Sequence, residues 1–75
     1  MPRPKTDPRR LSRKRVEAGL TQTALAAKVG VTKSHVSAVE NGRADFSPQN
    51  RFRIAEVLGC TIADLLKPDA EAGAA

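Results

Sequence analysis

One cysteine, Cys60, stands in a chain of 75 residues that also contains two Phe and neither Trp nor Tyr. A lone cysteine excludes an intramolecular disulfide and any cysteine-based metal cluster. The scarcity of aromatics leaves Leu, Val, Ile and Ala to build the core, a supply that favours helices over strands. No run of 18 apolar residues occurs, so no membrane span is expected. The basic start of the chain lacks the apolar stretch of a secretory signal. A cytoplasmic protein away from membranes is the expectation. Strand alternation over a useful window and internal repeats are also missing. Acidic residues are in the minority, with 8 Asp and Glu against 13 Lys and Arg and a net charge of +5. Polyanions are the natural partners of such a surface, nucleic acid first and anionic membrane second.

What is present is an ordered series of start and stop signals. Seven of the 13 basic residues fall in the first 15: Arg3, Lys5, Arg9, Arg10, Arg13, Lys14 and Arg15. Pro2, Pro4 and Pro8 predict an extended basic arm over residues 1–8. Pro68 and the Ala/Glu/Gly stretch after it predict a disordered tail over 68–75. Between them, Gly19, Gly30, Gly42 and Gly59 sit where helices should end. Thr21, Thr32, Ser47 and Thr61 stand ready as N-caps, and Pro48 follows Ser47 in the usual first helical position. Leu20 with Leu25, Val31 with Val36, and Cys60 with Leu65 have the spacing of hydrophobic staples. Asp64 places an acid in the first turn of the last helix. The pattern predicts one all-α domain over residues 9–67, with five helices at about 9–18, 22–29, 33–41, 48–58 and 62–67. A core of this size is marginal alone, which leaves room for self-association or a bound partner.

The central stretch from Gln22 to Val39 carries the chemistry. Its first helix presents Leu25, Ala26 and Val29 on one face, and a three-residue turn opens with Gly30. The next helix turns Val36 and Val39 inward. Two helices crossing steeply over so short a turn need a small residue at the crossing and glycine at the turn, and Ala26 and Gly30 supply them. On these residues the chain resembles the Cro/C1-type (XRE, lambda-repressor-like) helix-turn-helix family. Gly19-Leu20-Thr21-Gln22 before the unit, Glu40-Asn41-Gly42-Arg43 after it, Leu58-Gly59 and Asp64-Leu65-Leu66 extend the resemblance over roughly residues 9–67. It implies a compact five-helix DNA-binding domain whose second and third helices form the helix-turn-helix.

Wheel geometry sorts the third helix independently of the family. With Val36, Val39 and Glu40 inward, the outer arc holds Ser34, Ser37, Ala38 and Asn41, with Lys33 at the leading edge. Lys33 can donate to guanine, Ser34 and Ser37 can bond either base type, and Ala38 offers a methyl to thymine. These four are the expected base contacts; the plainer reading is a small, polar, solvated face. The resemblance implies phosphate contacts from Gln22, Thr32, Asn41 and Arg43. It also implies an ion pair between Arg15 and Glu40, which would offset an acid placed against the helix dipole. Of the first helix, Leu11 and Val16 are the expected anchors, since Lys14 stands where an apolar residue is common. His35 reads as a surface or phosphate-facing histidine and Cys60 as core packing.

No catalytic residue, metal, cofactor or small-molecule ligand is expected. One His and one Cys lack a carboxylate at orienting spacing, and no Gly-rich phosphate loop occurs. The expected function is a transcriptional regulator, a repressor by preference, that binds double-stranded DNA at a palindromic operator as a homodimer. The alternatives are an antitoxin-like or other protein-interaction module with secondary DNA binding, and a non-specific basic nucleic-acid binder.

Overall fold

The computed structural model describes residues 5–67, and within them the chain forms four α-helices and one short 3-10 turn. Helix α1 (Pro8–Glu17) opens on Asp7, whose carboxylate accepts from the Arg9 N–H at 3.0 Å. Pro8 is the first helical residue, where its missing N–H leaves nothing unpaired. Helices α2 (Gln22–Val29), α3 (Lys33–Glu40) and α4 (Pro48–Leu58) start on Thr21, Thr32 and Ser47. Their hydroxyls accept from the N–H groups of Ala24, His35 and Asn50, as the sequence signals require.

The tight turn between α2 and α3 depends on Gly30, which ends α2 at φ +85°. An L side chain there would be strained even though the space around it is open. The N–H groups of Gly30 and Val31 both close on the Ala26 carbonyl, at 2.8 and 3.0 Å. The chain reverses within three residues and presents Thr32 as the next cap.

Two expectations are corrected at the chain's ends. The fifth helix expected over 62–67 is a 3-10 turn, Ala63–Leu65. Thr61 and Asp64 cap each other there, the Asp64 N–H donating to Thr61 Oγ1 at 3.2 Å and the Thr61 N–H to Asp64 Oδ2 at 3.1 Å. Leu66 then turns extended and bridges Thr6, while the Lys67 N–H donates to the Lys5 carbonyl and the Asp7 N–H to the Leu65 carbonyl. That pairing takes the backbone groups a further helical turn would use, and Pro68 disfavours helix at the residue before it. The same pairing places residues 5–8 of the arm expected over 1–8 against the domain. Thr6 is buried, Asp7 caps α1 and Pro8 belongs to it. Residues 1–4 of the arm and the tail at 68–75 lie outside the described residues.

Leu11, Leu25, Val29, Val36, Val39, Ile54 and Leu65 fill the centre, joined by Ala26, Ala55 and Phe46. Helix α2 packs on α3 and α4, and α1 on α3 and the 3-10 turn. Leu20, Val31 and Cys60 lie half-buried against this cluster, as staple residues should. Val16, expected as an anchor, is 62% exposed, so Leu11 is the one buried side chain of α1. Burial of a Leu or Ile contributes about 1.5–3 kcal/mol, so helices this short are held by the shared core rather than by their own propensity.

Candidate nucleic-acid interface

Val36 and Val39 are buried, which fixes the rotation of α3 about its axis. The opposite arc therefore faces out. Lys33 and Ser34 are exposed, with Ser37 and Ala38 partly covered one turn later. Past the helix end, the Gly42 N–H donates to the Val39 carbonyl at 3.0 Å and the Arg43 N–H to the Ala38 carbonyl at 2.8 Å. This Schellman closure, with Gly42 at φ +76°, folds the chain back on α3 and returns Arg43 to the level of Ala38. Lys33, Ser34, Ser37, Ala38, Asn41 and Arg43 consequently line one shallow depression. Two cations bracket small neutral side chains. Asn41 Nδ2 reaches Ser37 Oγ at 3.4 Å across it.

The other two candidates for phosphate lie beside this surface. Thr32 is exposed and its hydroxyl oxygen caps α3. Gln22 opens α2, and its amide donates to Glu40 Oε1 at 3.1 Å. Glu40 in turn takes a two-point clasp from Arg15, Nε to Oε2 at 2.6 Å and Nη2 to Oε1 at 3.1 Å. Both side chains are largely buried, at 14% and 8% exposure. A third arm of the same guanidinium donates to the Leu20 carbonyl at 2.8 Å. The hydrogen bond to Glu40 and its negative charge raise the Arg15 pKa against the opposing effect of burial. One cluster thus joins α1, the start of α2 and the end of α3, and holds the angle at which α3 is presented.

A second polar cluster escaped the sequence reading. His35 does not face outward with Lys33 and Ser34. Its Nε2 lies 3.1 Å from the Asp45 carbonyl oxygen, and its ring sits 5.0 Å from that of buried Phe46. The Asp45 carboxylate accepts from the N–H groups of Phe46 (2.7 Å) and Thr6 (3.3 Å) and pairs with Arg51 Nη2 at 3.1 Å. Arg51 also donates to the Phe46 carbonyl and the Thr6 hydroxyl. Burial pushes the Asp45 carboxyl up, but these hydrogen bonds and the Arg51 charge outweigh it and hold the group below its ordinary value. The partners are 6, 10, 39 and 45 residues apart, so no local spacing announces them. Elsewhere, Cys60 is half-buried and its thiol is pushed up, by burial first and by Asp64 next. Among the described residues no helix is long and apolar enough to cross a membrane.

These features define a class before any comparison: a bihelical unit with a braced, outward-facing second helix, small and basic on its free side. The helix-turn-helix family model matches residues 11–65. Among solved structures, the restriction-modification controller protein C.AhdI from Aeromonas hydrophila is 32% identical at a TM-score of 0.71, covering 76% of this chain and 86% of that one. Hydroxypropylphosphonic acid epoxidase from S. wedmorenis is 34% identical at a TM-score of 0.75, over 81% of this chain and 32% of the epoxidase. HppE holding cobalt(II) and substrate matches with the same identity and a TM-score of 0.74, over 34% of its length. The chain thus spans about a third of the epoxidase structures it matches. No curated protein matches it. The chain belongs to the helix-turn-helix family, in its Cro/C1-type branch.

Proposed function

We propose that the chain represses transcription by sequence-specific binding to double-stranded DNA, with α3 lying in the major groove. The observation that carries this reading is the depression that gathers Lys33, Ser34, Ser37, Ala38, Asn41 and Arg43. Outer residues in the first turns of a recognition helix are those that reach base edges. Lys33 would donate to guanine O6 and N7, Ser34 and Ser37 to either base type, and Ala38 would meet a thymine methyl. Gln22, Thr32, Asn41 and Arg43 would hold the phosphates on either side. Gln22 keeps a second amide N–H for this beyond the one given to Glu40, and the Thr32 hydroxyl keeps its proton. The small reading side chains put much of the affinity on the phosphates. Occupancy of DNA is enough for repression, by excluding a competitor.

The DNA-binding unit would be a homodimer on a palindromic operator, with two recognition helices about 34 Å apart. Phe52, 55% exposed on α4, supplies an apolar contact, with Arg53 and Glu56 beside it in one shallow groove. A two-fold pairing of α4 would bring the Phe52 rings of two copies together, with Arg53 and Glu56 at the rim of the contact. Among the described residues no three His, Cys, Asp or Glu side chains cluster so as to hold a metal ion. Selection of binding sites from random DNA tests the proposal. The expected result is a symmetric motif bound about 10³-fold or more above random sequence, and a pool without enrichment contradicts it.

A further inference from the structure

His35 lies on the recognition helix yet is turned away from the depression. Among the described residues, the one polar partner of its ring is in the strip that follows Arg43. That strip, residues 43–47, has no regular secondary structure. Arg43 is fixed on its N-terminal side by the Schellman bond to Ala38, which leaves its own ψ and Ala44 unconstrained. On the C-terminal side the next fixed point is Asp45. Its carboxylate is tied to Arg51 and Thr6, and its carbonyl accepts from His35. Since a carbonyl can only accept, His35 Nε2 carries the proton of this bond. The Phe46 ring, buried against the imidazole, seats the same strip from below.

We infer that His35 is a positioning residue for DNA binding: it pins the strip after Arg43 to the recognition helix, and so fixes the offset between the Arg43 guanidinium and the base-reading face. The inference rests on the proposed reading of Arg43 as a phosphate contact. It assigns to His35 an effect on DNA transmitted wholly through Asp45, with no contact of its own to the nucleic acid. Arg51 and Thr6 hold the Asp45 side chain to α4 and the N-terminal strip, whereas the His35 bond ties Asp45 to α3. Without it the strip shifts against α3, and the Arg43 contact is weakened although Arg43 itself is intact.

A double-mutant cycle in binding to a short random-sequence duplex, read across a salt series, tests it. Removing one phosphate-binding cation lowers the slope of log affinity against log salt by about one. Arg43→Ala is expected to lower the slope by that amount and to weaken binding about tenfold. His35→Leu is expected to reproduce both effects, and adding it to Arg43→Ala should change little more. His35→Gln, long enough to donate to the Asp45 carbonyl, should bind as the parent protein does. His35→Asn, too short to reach it, should behave like His35→Leu, and this polar pair decides the matter if the Leu variant does not fold. Effects that add in the double variant, or Gln and Asn variants that bind alike, overturn the inference while leaving Arg43 in its role. A slope unchanged by Arg43→Ala overturns that role and the inference together.

Discussion

Glu40 stands in the last turn of α3, where a carboxylate opposes the helix dipole. What makes it tolerable is Arg15, with two bonds to the carboxylate and one to the Leu20 carbonyl, and the amide of Gln22. The pair is nine-tenths covered on the acidic side, so its net contribution is small against a hydrophobic replacement, while removal of one partner strands the other. Arg15→Met is therefore expected to destabilise the fold by about 3 kcal/mol, with Arg15→Met/Glu40→Leu recovering much of the loss in urea unfolding. A single variant as stable as the parent to within a few tenths of a kcal/mol would contradict the brace. Asp45 gives a prediction of the opposite character, in pH. Its folded-state pKa lies below the ordinary 3.8, so folding favours the ionised form. The stability this supplies is present above the ordinary value and is lost as pH falls through the lowered one. Asp45→Asn should be less stable at neutral pH by about 1–3 kcal/mol. It should also lose less further stability than the parent during acid titration followed by circular dichroism. Equal acid sensitivity in the two proteins would contradict the assignment.

At the level of elements, the legible features are those whose signals lie within a few residues of one another. Thr21, Thr32 and Ser47 each cap a helix by reaching three residues ahead, and local backbone chemistry decides this without tertiary help. The turn at Gly30 belongs to the same kind. Gly30→Ala should cost about 1 kcal/mol through the left-handed backbone alone, since a Cβ meets nothing there. A thermal melt unchanged from the parent would contradict it. The features hidden from the sequence depend on distant partners. The Thr6–Leu66 bridge replaces the expected fifth helix by an extended strip and docks part of the expected arm. His35 has the spacing of a flank residue that could face solvent or phosphate, and only the return of Asp45 and Phe46 beneath α3 decides otherwise. Val16 shows the limit of periodicity on a narrow amphipathic helix. The core closes over Leu11 alone and leaves Val16 outside. The candidate site was legible to the extent that outward angles on α3 follow from Val36 and Val39. The joining of Arg43 to that face needed the loop geometry after Gly42.

The whole molecule carries its polar clusters on either side of α3. Arg15, Gln22 and Glu40 hold it toward α1 and α2, and His35 with Asp45, Arg51 and Thr6 holds it toward α4 and the meeting point of residues 5–7 with 65–67. Among the described residues no buried side-chain polar atom lacks a partner, which suits a helix that must be presented rigidly. Association through α4 is tested at this scale. Phe52→Glu should weaken self-association by about tenfold or more in sedimentation equilibrium. It should also weaken binding to a full palindrome more than to a half-site. Unchanged association would remove α4 as the seam. The central claim, that α3 reads bases from Lys33 onward, is tested most directly by the sequence profile of Lys33→Ala. Affinities should be measured for the selected site and for every single-base variant of it. The account predicts discrimination lost at one position of each half-site, at a cost of about 1–3 kcal/mol, with the other positions read as before. A variant weakened equally on all sequences would place Lys33 on the phosphates and contradict the assignment of base reading to this face.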